Sequence, residues 1–81
     1  MPLVTIYSRR NCHLCADAEA TVRELRTEIQ FDLEVIDIDS DQSLASQFGE
    51  EVPVTFVDGK RHDFFRVDRE RLKNALRHPH Q

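Results

Sequence analysis

The apolar pattern of this chain changes period at Cys12, and that change limits the possible folds more than any other feature. Before it, residues 3–8 (Leu-Val-Thr-Ile-Tyr-Ser) are β-branched or aromatic and read as a buried strand. A polar loop follows, Arg9-Arg10-Asn11. Beyond it Cys15, Ala18, Val22, Leu25 and Ile29 recur at the spacing of one helix face. Asn11 is the expected N-cap, and Glu19 and Arg23 form an i, i+4 pair on the outer side. The join between strand and helix is therefore also where the two cysteines of the chain stand.

The remaining elements follow the same logic. Residues 33–38 alternate as a second strand. Asp39 or Ser40 is expected to cap a short helix with Leu44, Ala45 and Phe48 inside and Gly49 as its left-handed stop. Residues 54–57 make a third strand entered through Pro53, Asp58-Gly59 a type I′ hairpin turn, and residues 62–65 the returning strand. Asp68 caps a last helix carrying Leu72, Ala75 and Leu76, with Val67 and Leu72 placed as a hydrophobic staple. Residues 77–81 read as a frayed tail. The order β-α-β-α-β-β-α implies an α/β fold: a four-stranded mixed sheet with helices on both faces.

Composition narrows the function classes. With 81 residues the expectation is one domain over 1–81. A net charge of −4 argues against a nucleic-acid partner. No apolar run approaches bilayer length and no secretory signal is read, so the expected location is cytoplasmic, with no membrane contact and a monomeric state. Between Arg26 and Lys60 stand nine acids and no Lys or Arg, which reads as a solvated acidic edge or as a steering surface for a partner.

Two cysteines three apart close too short a loop to staple a fold, so the pair calls for chemistry. Cys12 opens a helix, where unpaired N–H groups favour an anion over a neutral thiol. The helix dipole contributes about 0.3–2 kcal/mol to that preference. Cys12 is accordingly the expected nucleophile toward a disulfide, and Cys15, one turn on and in the buried stripe, the resolving thiol. His13 is expected to tune Cys12 rather than shuttle protons, and Tyr7 to serve packing.

Pro53 where a strand begins would be trans on local propensity alone. Taken together, however, Cys12-His13-Leu14-Cys15 at a helix start and Val52-Pro53 before an Asp-Gly hairpin resemble the glutaredoxin branch of the thioredoxin superfamily. The resemblance spans about residues 3–76. It implies a thioredoxin/glutaredoxin-like fold and a dithiol thiol–disulfide oxidoreductase. It also implies a cis Val52–Pro53 bond beside the redox pair, with the Val52 backbone pairing an extended substrate. Arg9 takes the place of the family's cation near the thiolate, and Asp68 that of the acid receiving the amino group of glutathione.

Departures from the family are specific. His13 replaces a proline and Leu14 an aromatic residue. Glu51 stands where threonine is common, and Phe64-Phe65-Arg66-Val67 replaces a Gly-Gly segment. Large side chains there and negative charge from Glu50 and Glu51 imply that glutathione is a weak reductant. The expected substrates are then disulfide-bearing proteins or small thiols, with no bound cofactor. Two rival classes are a non-catalytic thioredoxin-fold adaptor and a C-x-x-C metal protein, the latter including a metal held between two chains. Within one chain only Cys12, Cys15 and His13 cluster, so no metal site is expected.

Overall fold

The computed structural model describes residues 2–64 and 67–77. Its elements are β1 (Leu3–Ser8), α1 (His13–Leu25), β2 (Asp32–Asp37), a 3-10 turn (Ile38–Ser40), α2 (Gln42–Phe48), β3 (Val54–Val57), β4 (Lys60–Phe64) and α3 (Arg69–Arg77). The sheet order is β2-β1-β3-β4, with β1 parallel to β2 and the other two pairs antiparallel. This is the α/β mixed sheet expected from the pattern. The tail expected at 77–81 falls, after Arg77, outside the described residues.

Strand alternation sends the side chains of β1 into two cores. Val4 and Ile6 join Val22, Leu25, Phe31, Leu72 and Leu76 on the face covered by α1 and α3. Tyr7 faces the other way, packing with Ile38, Phe48, Val54 and Phe56 beside α2. There Tyr7 stacks on Phe48 at 4.6 Å and meets Phe56 edge-on at 5.4 Å, so its role is packing. Ile29 lies beyond the end of α1 but still packs against the first core.

Several local expectations are corrected. β2 begins at Asp32 and ends at Asp37; Ile38 leaves the strand for the 3-10 turn, where it is fully buried. Asp37 caps that turn and Asp41 caps α2, through N–H groups of Asp39 and Ser43, so neither Asp39 nor Ser40 is a cap. Gly49 has a right-handed φ of −51°, not a left-handed one. A Cβ there would stand 2.5 Å from the Ala45 carbonyl oxygen, so the constraint on Gly49 is space.

The Asp58-Gly59 turn does adopt positive φ at both residues, 51° and 82°. Asp58 also clasps the start of β1, accepting from the Leu3 N–H through Oδ1 at 2.8 Å. β4 starts at Lys60, earlier than expected, and contains a bulge: Phe56 pairs Arg61 and Thr55 pairs Asp63, leaving His62 extra. Arg61 and Asp63 therefore serve opposite faces. Arg61 lies over the Phe48 ring, whereas Asp63 accepts from the Asp68 N–H at 3.4 Å.

The acidic middle of the chain meets basic residues from both ends. Asp39 pairs with Arg9, Asp37 with Arg10, Glu51 with Arg61, and Glu28 with Arg69 and Lys73. Lys73 holds the Glu28 carboxyl below its ordinary range by its hydrogen bond and then its charge, with Arg69 and Arg77 adding. A depressed carboxyl stabilises the fold above its unfolded titration and loses that contribution as pH falls through the folded one. Glu28→Gln should therefore lower the thermal midpoint at neutral pH, and the two proteins should converge below the carboxylate range. Unfolding curves at a series of pH values check this.

A candidate dithiol active site at the start of α1

β1 delivers the chain to the site and a sharp reversal turns it into α1. Asn11 makes that reversal with φ 58°, a left-handed conformation that asparagine tolerates. The helix therefore begins one residue later than expected. Cys12, extended at φ −109° and ψ 110°, is the N-cap, and its carbonyl accepts the Ala16 N–H at 3.0 Å. The Cys15 N–H donates to Cys12 Sγ at 3.1 Å. The sulfur thus takes the place that a serine or aspartate oxygen occupies in an ordinary cap.

The two thiols occupy different surroundings. Cys12 is partly exposed and Cys15 is buried, at 3 % exposure. Burial pushes the Cys15 thiol up to about 11, and its hydrogen bond to Cys12 acts in the same direction. The Arg9 backbone N–H and the Arg9 charge pull the other way. An open depression of about 440 Å³ beside the pair is lined by Arg9, Asn11, Cys12, His13, Cys15 and Glu19, among others. Leu14, between the cysteines, is 43 % exposed at the same helix start.

The other expected site residues are placed as follows. His13 is exposed at the first helical position. The Val52–Pro53 bond is cis, as the resemblance implied and local propensity did not. Pro53 is fully buried, and Val52 packs on the core beside α2. Neither is among the described residues lining the depression. Asp68 caps α3, accepting the Arg71 N–H at 3.1 Å, and it too lies outside that lining. Glu51, expected to repel anions, is paired with Arg61, whereas Glu50 is exposed. The Gly-Gly replacement falls partly outside the described residues, at Phe65 and Arg66.

Sequence reading missed Asp39. Its carboxylate accepts from Arg9 Nη2 at 2.9 Å and Nε at 3.3 Å, while Arg9 Nη1 donates to the Gly49 carbonyl at 3.2 Å. The signal was present only as a charge imbalance, since 30 residues separate the partners. Among the described residues no group of three or more His, Cys, Asp or Glu is placed to hold a metal ion. No described helix is long and apolar enough to cross a membrane.

Sheet, helix-capping cysteine and cis proline define a thioredoxin-fold protein of the glutaredoxin-like kind. The glutaredoxin-like domain family (DUF836) matches residues 3–77, and the chain belongs to it. The uncharacterized protein Rv0508 of Mycobacterium tuberculosis is 32% identical over 77 residues, covering 89% of this chain and 79% of its own. Protein Ne2328 of Nitrosomonas europaea, solved by NMR in solution, superposes with a TM-score of 0.80 at 31% identity, over 93% of this chain and 91% of that one. A thioredoxin variant from Halobacterium salinarum gives a TM-score of 0.66 at 28% identity, over 93% of this chain and 71% of its own.

The burial difference makes a labelling prediction. A thiol at about 11 is ionised to about one part in ten thousand at pH 7. Limiting iodoacetamide at pH 7 should therefore place its first label on Cys12. Peptide mass mapping reads the result, and first labelling at Cys15 would reverse the assignment.

Proposed function

We propose that this protein is a cytoplasmic, monomeric dithiol oxidoreductase that reduces disulfides through Cys12 and Cys15. The observation that carries the proposal is the asymmetry of the pair: an accessible Cys12 sulfur held by the Cys15 N–H, above a buried Cys15 thiol that keeps its proton.

The chemistry balances in two exchanges. The Cys12 thiolate attacks one sulfur of a substrate disulfide, forming a mixed disulfide and releasing the first substrate thiolate. Cys15 then loses its proton and attacks the Cys12 sulfur, closing the Cys12–Cys15 disulfide and releasing the second thiolate. Two electrons pass to the substrate, and an external dithiol or two monothiols restore the reduced pair.

The surroundings of Cys15 favour this order. The hydrogen bond to Cys12 and the charge of Cys12 both help to keep the Cys15 proton in place. Bonding Cys12 to a substrate removes its charge, whereas the Arg9 backbone N–H and the Arg9 charge remain to favour the Cys15 thiolate. The resolving thiol is thereby released for attack when a mixed disulfide is present. Protein disulfides are the proposed substrates and glutathione a weak reductant, in keeping with the exposed Leu14 and Glu50. His13, at the mouth, is proposed to tune Cys12, and Val52 to meet an extended substrate.

Cys12→Ser should reduce turnover of a model protein disulfide to the uncatalysed background. Cys15→Ser should instead accumulate a mixed disulfide detectable by mass. Cys12→Ala should lower the pH at which Cys15 alkylates to below about 11, because the Cys12 contributions are gone. Full activity in Cys12→Ser would remove Cys12 as the attacking thiol, and no turnover above background by the native chain would end the redox reading in favour of an adaptor.

A further inference from the structure

The depression beside Cys12 contains two side chains of fixed charge among its described lining residues, Arg9 and Glu19. Glu19 is bound to Arg23 one turn along α1, at 2.7 Å. Arg9 stands three residues before Cys12 and is the cation that an anionic substrate would meet. A guanidinium recognises a carboxylate through a fork of two parallel N–H donors. In this chain the Nε/Nη2 fork is already filled by Asp39, at 3.3 and 2.9 Å. The neighbouring fork is compromised as well, since Nη1 donates to the Gly49 carbonyl at 3.2 Å.

Asp39 is itself held in place for this task. Its N–H donates to Asp37 Oδ1 at 2.9 Å within the 3-10 turn, and Asp37 in turn pairs with Arg10 at 3.7 Å. The internal carboxylate is therefore preorganised, whereas an incoming one must be ordered from solution. The Arg9 and Asp39 side chains remain 41 % and 45 % exposed, so the pair is accessible to a competing anion.

We propose that Asp39 sets the charge preference of the reacting site. By filling the fork of Arg9 it withholds the site's fixed cation from carboxylate-bearing substrates and leaves neutral and cationic disulfides as the favoured class. This rests on the reading of Cys12 as the attacking thiol.

The test uses three small disulfides of similar length: cystamine (cationic), bis(2-hydroxyethyl) disulfide (neutral) and 3,3′-dithiodipropionate (anionic). Rates of mixed-disulfide formation at Cys12 are read by acid quench and mass in the Cys15→Ser chain. Asp39→Asn should raise the rate with the anionic disulfide about fivefold and leave the neutral one within about twofold. Asp39→Ser serves as a second variant, and circular dichroism reports whether each is folded. In an Arg9→Gln background the gain should disappear, which separates release of Arg9 from a mere change in net charge. An equal gain in that background, or no change in the ratio of anionic to neutral rates, overturns the proposal.

Octanedioate, the unreactive carbon analogue of the anionic disulfide, provides a reading without redox chemistry. Its effect on the Arg9 Nε–H resonance should be weak in the native chain and saturate at lower concentration in Asp39→Asn. If Cys12 reacts with none of the three disulfides, the redox reading fails, and this titration still decides whether Asp39 guards Arg9. Unchanged octanedioate binding in Asp39→Asn then overturns the proposal.

Discussion

Strand β1 is hydrogen-bonded to a neighbour along each edge, β2 in parallel and β3 antiparallel. Its two faces are covered by different helices, so its side chains serve two separate cores. Val4 and Ile6 are completely buried, each contributing about 1.5–3 kcal/mol in transfer from water. Such a strand has little freedom to slide, because a one-residue slip would exchange the two faces. The loop that leaves its end therefore begins from a fixed point. Asn11 and Cys12 lie three and four residues beyond Ser8, so the position of the Cys12 sulfur is set by a strand held along both edges and on both faces.

Charge organises the parts that the cores do not. Each exposed ion pair contributes little stability by itself, at most about 1 kcal/mol. Their placement is nevertheless consistent, since acids from the middle of the chain meet cations from the two ends. Arg9 and Arg10 fasten the loop before α1 to the turn after β2, and Arg69 and Lys73 fasten α3 to Glu28, just beyond the end of α1. Four of the nine acids of the middle stretch, Glu28, Asp37, Asp39 and Glu51, are thus matched internally by cations of the basic ends.

Element type and order were legible because apolar spacing is a local property, and the Asp58-Gly59 turn was legible because few residue pairs accept two positive φ values. What depended on distant contacts was not. Asn11 looked like a cap because its side chain suits one; its left-handed backbone moved that role to Cys12. Alternation cannot reveal an inserted residue, so the bulge at His62 was invisible. The partnership of Arg9 with Asp39 spans 30 positions and leaves no periodic trace. The cis bond at Pro53 ran against local preference and was expected only through family resemblance.

The use of a cysteine as the cap of α1 ties together two quantities that are usually independent. Folding and reduction form a thermodynamic square: reduced and oxidised chain, each folded or unfolded. Around that square, the difference in folding free energy between the redox forms equals the difference in reduction free energy between folded and unfolded chain. The Cys15 N–H bond to Cys12 Sγ belongs to the dithiol corner of the square. Whatever that bond adds to the folded dithiol raises the reduction potential by the equivalent amount, about 30 mV for each 1.4 kcal/mol. The strength of one helix cap is in this way legible on an electrode scale, and a mutation that strengthens or weakens the start of α1 in the dithiol form alone shifts the potential of the pair by the equivalent amount.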